Sequence, residues 1–151
     1  MMQAPDNAQE TLQWNDLYLL GFGPMDETHE EFVGLVGRMQ LAPDEALAPL
    51  LDEFAAHARK HFEMENQWMM ETDFPAKGCH IDEHAAVMKS VEEVRELLAQ
   101  ENHAICRRLI AELASWFPAH ADHLDSALSH WMNKQRFGGK PVVIRRDLTM
   151  R

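Results

Sequence analysis

Cysteine, glycine, proline and positive charge are all scarce in this 151-residue chain, and each scarcity excludes something. Two cysteines, Cys79 and Cys106, cannot build a disulfide framework, and neither belongs to a Cys-x-x-Cys redox or zinc motif. They read as free thiols. Only 14 Lys and Arg stand against 25 Asp and Glu, a formal net charge of -11 that repels a phosphate backbone and argues against nucleic acid as a partner. No run approaches the ~18 apolar residues of a membrane span, and Met1 to Trp14 lacks a basic start followed by an apolar stretch. A cytoplasmic protein without a membrane partner is the expectation. Phosphate-cradling glycine loops, Gly-x-Ser-x-Gly and His-Glu-x-x-His are missing. So is the Glu-x-x-His pair of ferritin-like carboxylate bundles, because no histidine here has a glutamate three residues before it.

What is present reads as one domain with a real core, at 46% hydrophobic and 26% charged. The seven glycines and seven prolines fall where apolar-periodic segments start or stop, so they punctuate helices and the fold class is all-α. An irregular leader over 1–25 holds Trp14, Leu17, Leu19, Leu20 and Phe22, and Asp26 after Gly21-Phe22-Gly23-Pro24 is the expected N-cap of a first helix reaching about Gln40. Pro43 and Asp44 open a second helix to about Thr72, with Pro49 as an alternative first turn; Pro75 and Gly78 end that region. A third helix is expected from about Ile81 to Gln100. The fourth is capped by Asn102 and runs to about Phe137, where Gly138-Gly139 stops it. Short loops force antiparallel neighbours, so 26–137 should form an up-down-up-down four-helix bundle, with 138–151 as a short tail.

The buried stripes of these helices carry polar residues where Leu belongs. In the second helix, Leu50, Phe54 and Trp68 share a stripe with His57, His61 and Glu65; in the third, His80 and His84 lead into Val87, Val91, Val94 and Leu98. His120 interrupts the fourth between Trp116 and Leu124, and His29 heads the first before Phe32, Val33 and Val36. One such histidine is ordinarily a hydrogen-bonded core residue. A set drawn from four helices would leave many desolvated polar groups, each costing ~1–3 kcal/mol if unsatisfied. A shared metal satisfies them together. Residues four apart are offset by only about 40°, so His61 with Glu65, and His80 with His84, can each grip one centre. Imidazole and carboxylate without thiolate favours iron, manganese or zinc, and, even with His57 left aside as a core residue, the five other histidines are too many for one ion. A dinuclear centre bridged by carboxylates uses them all.

The chain resembles the bacterial hemerythrins in Met25-Asp26-Glu27-Thr28-His29, His61-Phe62-Glu63-Met64-Glu65, His80-x-x-x-His84, and Trp116-Phe117-x-x-His120 with Asp125. That resemblance, over about Trp14 to Phe137, implies two iron ions with an oxo or hydroxo bridge. It makes His29 and His61 similar to the ligands of an iron with an open position, and His80, His84 and His120 similar to those of a filled iron. Glu65 and Asp125 correspond to the bridging carboxylates. The implied activity is reversible O2 binding as a hydroperoxide, for storage, delivery or sensing. The alternative is a diiron enzyme reducing peroxide or nitric oxide, and a non-metal interaction bundle leaves the inward histidines unexplained.

Periodicity alone does not select Asp125. Five residues after His120 means an offset of about 140° on an ideal helix, so Asp122 and His123 are rivals, and only a π-bulge or a sideways reach would aim Asp125 inward. Pro118 should kink this helix just before His120. His57 reads as a core histidine, His103, His123 and His130 as surface or interhelical residues, and Cys79 as a small buried filler. Phe32, Val33, Val87 and Met88 are candidates to wall the gas site, with ordinary core as the alternative. Gly34 and Gly37 are placed to let the first helix approach a neighbour closely.

Overall fold

The structure, a computed structural model, describes residues 9–136. The Gly138-Gly139 stop, the tail and Phe137 lie outside the described residues. A 3-10 turn, Asp16–Tyr18, precedes α1 (Gly23–Leu41), α2 (Asp44–Glu71), α3 (Lys77–Ala99) and α4 (His103–His120). α4 continues through a π-helical segment, Ala121–Asp125, into α5 (Ser126–Arg136). Each helix packs on the next in sequence and α4 closes against α1, which with short connections gives the four-helix bundle expected. There is no strand among the described residues.

Several boundaries differ from the expectation, each for a local reason. Phe22, not Asp26, is the N-cap of α1, and Pro24 occupies its first turn, where a missing N–H removes nothing. Asp26 instead accepts the backbone N–H groups of Leu20 and Gly21 at 2.8 and 3.1 Å, tying the leader to the helix. α2 starts at Asp44, leaving Pro49 inside the helix. α3 starts at Lys77, four residues before Ile81, so Gly78 lies in its first turn and His80 is already helical. Asn102 caps α4 as expected, its side chain accepting from Ile105 N at 3.1 Å. Glu101 beside it carries the connection with a φ of 68°.

Residues of the leader lie on the bundle. Leu12 N–H donates to Gln40 at 2.7 Å, Tyr18 packs edge-on to Phe117 at 5.5 Å, and Ser129 donates its hydroxyl to Leu20 O at 2.9 Å. Gly37 is where this matters most, since a Cβ there would lie 2.7 Å from Leu12 O. Gly34 has open space around it.

Apolar burial forms two clusters. The larger includes Phe32, Val36, Leu51, Phe54, Phe62, Leu113 and Phe117; the smaller contains Phe22, Met25, Met69, Phe74 and Leu128. Met25 and Phe32 lie about one turn to either side of His29, and Met69 and Phe62 about one turn to either side of Glu65. A polar layer therefore separates the two apolar clusters.

Candidate metal centre

The polar layer is built from seven side chains. α1 supplies His29, α2 His61 and Glu65, α3 His80 and His84, α4 His120, and the π segment Asp125. All seven are at most 4% exposed. Asp125 arrives there through a change in helix type. Within the π segment the N–H of Ser126 bonds to Ala121 O, five residues back, and this wider turn brings residues five apart onto one face. Asp125 Oδ1 consequently lies 3.2 Å from His120 Nε2, while the rivals Asp122 and His123 are exposed. The helix runs unbroken through Pro118, and its departure from α geometry comes just after, at Ala121.

Each carboxylate presents its two oxygens to two different sets of imidazoles. Glu65 Oε2 accepts from His61 Nε2 at 2.7 Å and lies 3.4 Å from His29 Nε2, whereas Glu65 Oε1 lies 3.2 Å from His84 and 3.6 Å from His80. Asp125 divides the same way. Its Oδ2 is 3.1 Å from His29 Nε2, and its Oδ1 is 3.0 Å from His80 Nε2. Two overlapping groups result, one of His29, His61 and Glu65, the other of Glu65, His80, His84, His120 and Asp125. In each, the donor atoms all lie within 4.8 Å of one another.

The donor atoms fit a metal better than they fit each other. His29 Nε2, His80 Nε2, His84 Nε2, His120 Nε2, Glu65 Oε1 and both oxygens of Asp125 are buried without a hydrogen-bond partner among the described residues, despite those short separations. The atoms converge, but the ring N–H directions do not point at the oxygens. Leaving buried polar atoms unmatched costs ~1–3 kcal/mol each, and a bound metal ion would satisfy several of them at once.

Without metal, the layer balances its own charge. Burial acts to lower the His29 pKa, yet the short contacts with Asp125 and Glu65 together override it and raise the imidazole to about 10. His80 behaves alike, burial opposing and the same carboxylates raising it to about 9. Burial pushes Glu65 upward, and its close imidazole neighbours His61, His29 and His80 together hold it well below the usual carboxylate range. Asp125 is also held low: burial and the charge of Glu65 oppose this, and contacts with His120, His29 and His80 prevail. His84 goes the other way, lowered chiefly by burial.

Aromatic rings enclose the layer. Phe62 stacks on His84 at 4.1 Å, Trp116 stacks on His120 at 4.2 Å, and Phe32 and Phe117 meet His61 and His29 edge-on at 6.0 and 5.3 Å. Of the residues expected as walls, Phe32 packs edge-on to His61, Val33 is fully buried, and Val87 and Met88 are partly buried against the larger core. His57 is not a core histidine. Its side chain is 18% exposed, and its Nε2 lies 3.1 Å from Glu31 Oε1 at the surface. Cys79 is exposed rather than buried, because His80 beside it takes the inward face of α3; Cys106 is buried, and both thiols are free. His123 and His130 are exposed, and His103 is partly exposed, 3.9 Å from Asp44.

Two further residues that the sequence reading passed over touch the layer. Asn66 Oδ1 lies 2.7 Å from His84 Nδ1, and Glu83 Oε1 lies 2.5 Å from His120 Nδ1 while accepting from Trp116 Nε1 at 3.1 Å. Each sits next to a stripe residue in sequence, about 100° around the helix. Adjacency to Glu65 and His84 was the available signal.

Fold and site together define a helix bundle built around a buried cluster of side chains able to hold a metal ion. Comparison with known proteins agrees: the hemerythrin HHE cation-binding domain matches residues 21–131. The chain belongs to the hemerythrin family. It is 36% identical to a bacteriohemerythrin of Ralstonia nicotianae (strain ATCC BAA-1114 / GMI1000) over 121 residues, covering 80% of this chain and 88% of that protein. It is 30% identical to a bacteriohemerythrin of Aquifex aeolicus (strain VF5) over 108 residues, covering 68% and 82%. No solved structure is matched.

Proposed function

We propose that this chain is a non-haem diiron protein that binds O2 reversibly, with His29, His61, Glu65, His80, His84, His120 and Asp125 as its ligands. The observation that carries the reading is the division of each carboxylate between two imidazole sets, which would let Glu65 and Asp125 each serve two ions. His29 and His61 would hold one iron and His80, His84 and His120 the other. A ferrous pair held there would supply the two electrons that reversible O2 uptake requires.

The chain's own contribution is placement and exclusion. Facing Nε2 atoms are held by imidazoles whose rings are stacked or edge-packed on Phe32, Phe62, Trp116 and Phe117, which limits their rotation. The same rings and the two apolar clusters keep bulk water off the layer. Dryness favours release of the gas unchanged over its loss as peroxide.

One observation favours a second reading, a diiron enzyme reducing peroxide or nitric oxide. A cavity of about 160 Å³ lined by Thr28, Glu31, His57, Lys60, His61 and Met64 reaches His61 from the surface, and such an opening would admit a polar reactant. The experiment that decides loads the protein with Fe(II) anaerobically, counts iron per chain, admits O2 and follows the visible ligand-to-iron band. Two irons and a band that bleaches on deoxygenation support the carrier. Irreversible conversion with catalytic consumption of peroxide supports the enzyme, and an iron-free protein overturns both.

A further inference from the structure

The outer nitrogens of the five imidazoles are not treated alike. His29, His61 and His80 have no partner for Nδ1 among the described residues, and His84 Nδ1 meets the neutral amide oxygen of Asn66. His120 Nδ1 alone among the five meets a carboxylate there, that of Glu83. Nε2 of His120 is turned into the layer beside Asp125, so a ring that ligates a metal there through Nε2 keeps its proton on Nδ1 and donates it to Glu83. The same oxygen of Glu83 accepts from Trp116 Nε1, and Trp116 stacks on the His120 ring with planes 26° apart. His120 is thus held on its edge by Glu83 and on its face by Trp116. Glu83 itself lies in a groove between α3 and α4 bordered by Val87, Leu113 and Trp116, with its side chain 39% exposed.

We propose that Glu83 is a positioning residue for the metal centre that also sets its redox asymmetry: the carboxylate fixes His120 for ligation through Nε2 and makes the iron held by His80, His84 and His120 the more easily oxidised of the two. This rests on the diiron reading above. The physical basis is that a charge-assisted hydrogen bond to the outer nitrogen makes an imidazole a stronger donor to its metal, and added negative charge stabilises the ferric over the ferrous ion. A contact that only satisfied a buried N–H would need no charge, as Asn66 shows on His84.

Glu83→Gln keeps the shape and an acceptor oxygen while removing the charge. In the iron-loaded full chain, anaerobic mediated titration should show a reduction potential more positive than wild type, and chelator competition should show iron affinity lower by roughly 10- to 100-fold. Asn66→Asp brings a carboxylate to His84 Nδ1 and should move the potential in the negative direction. It also keeps the test decisive if Glu83→Gln does not fold. Wild type that binds no iron refutes the diiron reading. Wild type that loads two irons, with the folded variants keeping its potential, overturns the role given to Glu83.

Discussion

Iron uptake should be coupled to the loss of protons from two particular imidazoles. His29 at about 10 and His80 at about 9 are protonated at neutral pH in the metal-free layer, where they balance Glu65 and Asp125. A metal binds imidazole only in its neutral form. Removing these protons at pH 7 means working against about three pH units at His29 and about two at His80, which at ~1.4 kcal/mol per unit amounts to ~4 and ~3 kcal/mol. The apparent affinity for the ion pair at pH 7 should then be roughly five orders of magnitude below its value with both imidazoles already neutral. Chelator competition under anaerobic conditions between roughly pH 6.5 and pH 8 should show the combined affinity rising about 100-fold per pH unit, a slope of two, or more if a bridging hydroxide forms. Proton release on adding Fe(II) in weak buffer checks the same number independently. An affinity independent of pH over that range would refute the reasoning, because it would mean that both rings are already neutral and that the carboxylates are balanced in some other way.

The same titrations predict how the metal-free protein melts. His29 and His80 have raised values, so their contribution is complete below the ordinary histidine value of 6.5 and is lost as pH rises through about 9 and 10; Glu65 and Asp125 are held low, so theirs is lost as pH falls through the acid range. Thermal melts should therefore fall off above neutrality for metal-free protein only, and an identical alkaline decline after iron loading would contradict this assignment. His61→Ala should lose iron and the O2-dependent band, whereas His57→Ala, a ring at the surface paired with Glu31, should keep both; equal losses would place His57 among the ligands. Gly37→Ala, whose Cβ would press on Leu12 O, should cost ~1–3 kcal/mol by chemical denaturation. Gly34→Ala, with open space around it, should stabilise by ~0.5–1 kcal/mol. The same sign for both would show that the leader does not press on Gly37.

Much of the bundle was legible because an inward helical stripe repeats every three to four residues, and six of the seven polar residues fall on such stripes. His29, His61, Glu65, His80, His84 and His120 stand where Leu would otherwise be, and all are buried. Asp125 was not legible that way, since α-helical periodicity turns it aside by about 140° and only the resemblance to a family singled it out. Asn66 and Glu83 were missed because an outer partner sits beside the stripe rather than on it, where a polar residue looks like ordinary surface.

The order of residues by itself settled the number of long helices, their antiparallel course and the chemistry gathered inside them, because periodicity and breaker residues act over a few turns of one helix. Only the folded bundle decided what depends on the meeting of helices far apart in the chain. The π turn at Ala121–Asp125 carries Asp125 to His29 and His80, the carboxylates split between two groups, and Glu83 of α3 finds His120 of α4. Those contacts span helices whose relative rotation no local pattern encodes; it is set by how the apolar clusters on either side of the polar layer pack.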